Sequence, residues 1–169
     1  MLKLRVRTKA GNAGGDANYE KSNAITTLPA GRFSSTFRTS ILTAKRDTAE
    51  HRTALANALV DHICKVYGIP PVRVAVTERT QWRRTTERGT IKSKTLGVYK
   101  HTATHAVGIT IPNLTAVKAQ RITNKGFLNT LLHEVNHHLD YALLHLTKSL
   151  HTAGFYKRIS DLDSKLGGR

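Results

Sequence analysis

Acidic residues are scarce in this chain: 11 Asp and Glu stand against 27 Lys and Arg in 169 residues, a formal net charge of +16. Such a balance is a statement about partners, and it favours polyanions such as DNA or RNA. Cysteine is nearly absent. The single Cys64 permits neither an internal disulfide nor a four-cysteine zinc site, and it suits a reducing compartment. Long apolar runs are missing as well, since no window approaches the roughly 18 apolar residues of a membrane-spanning helix. The stretch around Leu131–Leu146 is interrupted by His, Glu, Asn and Asp. The opening Met1-Leu2-Lys3-Leu4-Arg5-Val6-Arg7 has no apolar core of a secretory signal. A cytoplasmic protein with no membrane partner is expected. The 4 proline and 12 glycine residues follow no triplet period, and 39% hydrophobic residues suffice for one core. A collagen-like chain and a wholly disordered one are both excluded.

Residues 1–45 read as a basic, Gly/Ser/Thr-rich N-terminal arm, with Leu2, Leu4 and Val6 alternating as one edge strand at most. Residues 46–169 read as one folded domain of α+β class. Leu55, Leu59, Ile63 and Val66 fall on one helical stripe, which Gly68 and Pro70-Pro71 end. Val72, Val74 and Val76 alternate with polar or small residues, as in a half-buried strand. Leu96–Lys100 and Ala106–Ile111 read as two further strands, the second offering an edge for an extended peptide. The spacing predicts a helix from Phe127 to about Thr147, its start capped by Thr123 or Asn124. A last helix follows Thr152, with Phe155, Ile159, Leu162 and Leu166 on its apolar side.

The chemistry concentrates in Leu131-Leu132-His133-Glu134-Val135-Asn136-His137-His138-Leu139-Asp140. His133 and His137 are four apart, so on a helix they project one turn above the other. Two imidazoles so placed can share one zinc ion, and Glu134 beside the first can act as general base. This is the HExxH arrangement of zinc peptidases. A hydrolytic zinc site wants a third protein ligand and one open position. His138 lies about 100° around the helix from His137 and faces elsewhere. His145 stands ~12 Å along the axis from His137, at 1.5 Å per residue, too far to share its ion. Asp140 shares the face of His137 and can be a ligand or an acceptor for an imidazole N–H. His151, at the start of the next helix, can be brought back over the metal.

His133-Glu134-Val135-Asn136-His137 followed, after 13 residues, by His151-Thr152-Ala153-Gly154-Phe155 resembles the SprT-like zinc metallopeptidases. That family includes the Spartan-type proteases that degrade proteins trapped on DNA, and this chain looks like a phage- or plasmid-encoded relative. The resemblance spans residues 55–169 or so. It implies a zincin-like minimal metallopeptidase domain: an N-terminal helix, a small sheet of about three strands, an active-site helix and a closing C-terminal helix. It also implies Zn2+ held by His133, His137 and His151, with Glu134 as base, Phe155 packing the closing helix, and a protein or peptide substrate. Thr152 and Ala153 depart from the usual third-ligand motif, and the cysteine-based zinc ribbon that often follows is absent.

A second feature is the segment 79–94, whose Arg79, Arg83, Arg84, Arg88, Lys92 and Lys94 surround Trp82 with one acid, Glu87, among them. Cations track phosphates and an indole stacks on an unpaired base, so this loop or hairpin tip is the expected nucleic-acid contact. A different class of reading also stands: a non-catalytic nucleic-acid-binding or virion-associated protein with a structural zinc closed by Asp140 or His138. For catalysis, His105, Tyr141 and Tyr156 are candidate helpers that the spacing does not separate.

Overall fold

The computed structural model describes residues 17–29 and 33–167; the alternating segment Leu2–Arg7 and the arm's Lys3, Arg5, Arg7 and Lys9 lie outside them. Among the described residues the order is α1 (Ala17–Ala24), α2 (Ser35–Thr43), α3 (Ala49–Tyr67), β1 (Val74–Thr80), β2 (Trp82–Thr85), β3 (Ile91–Thr95), β4 (Val98–His101), β5 (Ala106–Leu114), α4 (Asn124–Ala142) and α5 (Ala153–Lys165). The α+β class expected from periodicity is the class observed.

Three strands form the main sheet in the order β1-β5-β4, with β1 parallel and β4 antiparallel to β5. Val74, Val76, Ile109 and Ile111 point into the core, whereas Ala75 and Lys100 on the opposite face are exposed. The sheet is therefore covered on one face only, by α3 and α4, whose Leu55, Leu59, Ile63, Leu131, Val135 and Leu139 complete one core with it. Ala106–Ile111, expected at an edge, is the central strand: both its neighbours bond to it, and the edge strands are β1 and β4. The alternation of apolar residues identifies a strand but carries no information on its neighbours.

The ends of the helices follow from local chemistry. Thr48 caps α3 by accepting from the His51 N–H, and Gly68 ends it at φ 65°. Val66, expected on the apolar stripe, is 38% exposed in the last turn. Thr123 caps α4, as expected, through the Gly126 N–H. That helix stops at Ala142, five residues before the expected end, because the Leu146 N–H folds back to the Asp140 carbonyl and His145 takes φ 52°. Leu146 still reaches the core, 2% exposed. Of segment 79–94, Arg79 lies in β1 and the part from Trp82 on folds as the hairpin β2–β3, with Arg83 opposite Lys94 and Arg84 opposite Ser93.

The expected boundary at 45 is the largest correction. Leu28, Phe33 and Ile41 are buried in the same core as α3 and α4, so residues from Ala17 onward belong to the domain. Their apolar anchors are too widely spaced to show a period.

Candidate metal centre

α4 presents His133 and His137 one turn apart, and the loop after it returns His151 to them. The Nε2 atoms form a nearly equilateral triangle: 3.2 Å from His133 to His137, 3.1 Å from His133 to His151 and 3.1 Å from His137 to His151. Each ring N–H lies in its own ring plane, so three converging nitrogens cannot all be satisfied by hydrogen bonds to one another. Zinc bonded to three nitrogens at 2.0–2.1 Å in a tetrahedron separates them by about 3.3–3.4 Å. The triangle is of that size, and the donor set fits one zinc ion. Among the described residues these three form the one group of metal-ligating side chains close enough to share an ion.

Phe155 is the floor of the triangle. Its ring centroid lies 5.0 Å from His133, 4.7 Å from His137 and 5.0 Å from His151, and the residue is wholly buried. That ring closes one side of the nitrogens with apolar carbon and leaves the other side toward the cavities beside Gly97. Burial, and then the other imidazoles, depress His133 to about 4 and His137 to about 3; burial also lowers His151. All three are neutral at pH 7, the form that donates a lone pair to a metal.

The orientation of His137 is fixed by a chain of bonds behind it. Ser149 Oγ donates to Asp140 Oδ2 at 2.7 Å, which uses its one hydrogen. His137 Nδ1, 2.6 Å from the same Oγ, must then be the N–H that donates to it, and Nε2 is left bare within the triangle. Asp140 is fully buried and is held by Arg158 through Nε at 3.1 Å and Nη2 at 3.0 Å. Burial pushes its carboxyl upward, and Ser149 and Arg158 oppose that. Asp140 therefore backs a histidine from behind and is not part of the nitrogen triangle. The Arg158 guanidinium spends its remaining N–H groups on Ser22 O, Ile25 O and Ser22 Oγ, which carries the chain of bonds into the segment expected to be an arm.

That segment is the foundation of the third histidine. Asn18 donates to Lys148 O and accepts from the Thr147 N–H, Lys21 donates to Leu144 O, and Ser22 Oγ meets Thr152 Oγ1 at 3.1 Å. Thr152 in turn caps α5 through the Phe155 N–H. α1 thus holds both ends of the loop that carries Ser149 and His151. Gly154 allows the close approach, since a Cβ there would run into Ser22 O and stand 2.6 Å from Asn23 O.

Glu134 is 6% exposed, and burial raises its carboxyl to about 7 against the pull of the Tyr99 backbone N–H. A carboxylate with that value can both take and return a proton near neutral pH. Gly97 lets the chain pass over it: a Cβ there would lie 2.9 Å from Glu134 Oε1 and from Thr130 Cγ2. An isolated glycine beside a strand pattern is the signal that marks such a close approach. Two cavities meet at Gly97, His133, Glu134 and His151. One of about 310 Å³ runs toward Tyr99, His101 and Tyr141, and one of about 570 Å³ runs toward Lys94, Leu96 and Asn129. Together they make a groove along the free edge of β4.

The other named residues fall into place around this groove. His138 is 1% exposed and turned away, donating from Nε2 to Pro70 O and accepting the Tyr99 hydroxyl at Nδ1. Of the candidate helpers, Tyr141 lines the groove, with its hydroxyl on Thr102 O and Ala103 O. Tyr156 stands exposed beside His151, ring centroids 6.0 Å apart, while His105 lines a separate cavity with His145. His101, which no sequence pattern marks, lines the groove opposite the triangle. Arg79, Trp82, Arg83, Arg84, Arg88, Lys92 and Lys94 are all exposed. No family model, no curated protein and no solved structure matches this chain.

Proposed function

We propose that the chain is a zinc-dependent metallopeptidase of zincin-like, SprT-like type that acts on or near nucleic acid. The observation that carries this is the Nε2 triangle floored by Phe155 and opening, beside the buried Glu134, onto a groove along a free strand edge. When bound, zinc would supply an acidified water and a charge that polarises the scissile carbonyl. His133, His137 and His151 would hold it. Glu134 takes the proton of the attacking water and returns it to the leaving amine, its raised pKa serving both transfers. The unpaired backbone groups of β4 align an extended peptide, since strand addition needs only main-chain donors and acceptors. His101 and Tyr141 line the same groove.

A structural zinc closed by a fourth protein ligand is less well supported. Asp140 is committed to Arg158 and Ser149, and His138 to Pro70 and Tyr99, so both candidates for closure are engaged elsewhere. The nucleic-acid part of the proposal rests on the hairpin. Its cations are exposed, and Arg83 directly faces Lys94, a like-charge pair that destabilises a ladder unless an anion joins it.

Glu134→Gln tests the enzymatic reading. The amide keeps the size of the carboxylate but cannot take a proton, so zinc content and fold persist while hydrolysis of unfolded and DNA-bound proteins is lost. Equal cleavage by wild type and variant would remove Glu134 from the mechanism.

A further inference from the structure

A cationic cavity of about 580 Å³ opens at the start of α4, lined by Lys45, Arg46, Asp47, Arg52, Arg121 and Asn124 among others. Nine residues separate Asn124 from His133, roughly 14 Å along the helix, so this is a separate place from the histidine triangle. Four cations converge there from three parts of the chain. The one acid among the lining residues, Asp47, is engaged by His51 Nδ1 at 2.5 Å.

Arg52 is the unusual member. It is 1% exposed, and a buried cation is ordinarily paired with an anion. Its guanidinium instead donates to neutral oxygens: Nε to Arg46 O, Nη1 to Asn113 Oδ1, and Nη2 to Ile122 O and Asn124 Oδ1. These take four of its five N–H groups, and among the described residues no carboxylate touches it. The acid behind it, Glu78, reaches it only through Asn113, which donates to both Glu78 oxygens at 3.1 and 3.2 Å. Burial and the neighbouring Arg121 weaken the hold of Arg52 on its proton; Glu78 strengthens it and Arg46 weakens it further. Neutral acceptors orient a guanidinium but leave its charge uncancelled. Lys45 and Arg121 are exposed, and their side chains make no hydrogen bond or ion pair among the described residues. Two side chains are therefore free to close on a ligand, beside a third that no carboxylate touches among the described residues.

Planar guanidinium groups match the oxygen spacing of a tetrahedral oxyanion, and lysine adds a point charge. We propose that this pocket binds a phosphate group, either free in solution or carried by a nucleotide chain. The site stands independently of the peptidase reading.

Calorimetric titration of the full-length, zinc-loaded chain with inorganic phosphate, at ionic strength matched with chloride, tests the site. One saturable event is expected in wild type. In Lys45→Gln/Arg121→Gln the dissociation constant should rise at least about tenfold, the effect of losing a charge-assisted hydrogen bond. Neither side chain makes a hydrogen bond or ion pair among the described residues, so circular dichroism and the melting temperature should be unchanged; Arg121→Gln alone serves if the double variant fails to fold. Phosphate bound at the histidine cluster would be untouched by these substitutions. Unchanged affinity in the variant, or no saturable event in wild type, therefore overturns the proposal. Short single strands with and without a 5′-phosphate then identify the source. Displacement of phosphate by the 5′-phosphorylated strand alone marks a terminal phosphate, displacement by both a backbone phosphate, and displacement by neither the free anion.

Discussion

At the residue scale the candidate centre depends on side chains outside the histidine triangle. Ser149 passes its hydrogen to Asp140 and accepts the His137 N–H, which fixes both tautomer and ring orientation. Ser149→Ala keeps all three imidazoles but frees His137, and zinc affinity should fall by about 10–100-fold. Competition with a chromogenic chelator measures this; an unchanged affinity would make the Ser149 bond incidental. His133, Glu134 and His137 are legible in the sequence because helical periodicity alone puts i and i+4 on one face. His151 stands in the sequence as one candidate beside Asp140, and only the resemblance favours it, because a loop decides which residue returns to the helix. Gly97 is marked only as an isolated glycine beside a strand pattern, and Ser149 leaves no mark at all, since each acts between segments whose approach only the fold determines.

At the scale of elements, α1 and the hairpin show why some structure escapes a reading by pattern. α1 carries Ala17-Asn18-Tyr19-Glu20-Lys21-Ser22-Asn23-Ala24, with no apolar stripe, and it is held by polar side chains reaching loop carbonyls. Hydrophobic periodicity cannot find a helix attached in that way. Gly154→Ala would drive a Cβ into two α1 carbonyls. The rigid backbone cannot yield cheaply, so a loss of about 1–3 kcal/mol is expected from overpacking. Urea unfolding should show it, along with faster proteolytic nicking between residues 17 and 29; unchanged stability and protection would mean that α1 does not seat on α5. The hairpin lacks a core of its own, with only Ile91 and Gln81 near it partly buried, which keeps its pairing out of the apolar pattern. Arg83→Glu/Arg84→Glu should weaken binding to all duplex sequences alike and lower the salt slope by about 0.9 for each phosphate left without its cation. Trp82→Ala should harm single-strand binding more than duplex binding. Filter binding across a salt series decides, and an affinity indifferent to these changes would leave the hairpin without that role.

At the scale of the whole molecule, the one-sided sheet explains how the parts combine. α4 packs on the covered face of β4 and β5, so its histidines emerge at the β4 edge, the one strand edge left unpaired beside them. Lys94, Thr95 and Leu96 join the basic hairpin to the same groove, so His133, His151 and the cationic hairpin border one surface. The class of fold is legible from the alternation of periods 3.6 and 2. The strand order is not, because β5 has the same pattern whether central or at an edge, and only its pairing to both β1 and β4 distinguishes them. The central claim is a three-histidine zinc site with one position open to water. X-ray absorption at the zinc edge, on the chain loaded with one equivalent near neutral pH, tests it most directly. The expected result is one zinc per chain bound by three imidazole nitrogens and one light oxygen, with an imidazole lost in His151→Ala. A fourth protein ligand, an unaltered shell in that variant, or no stoichiometric zinc would contradict it.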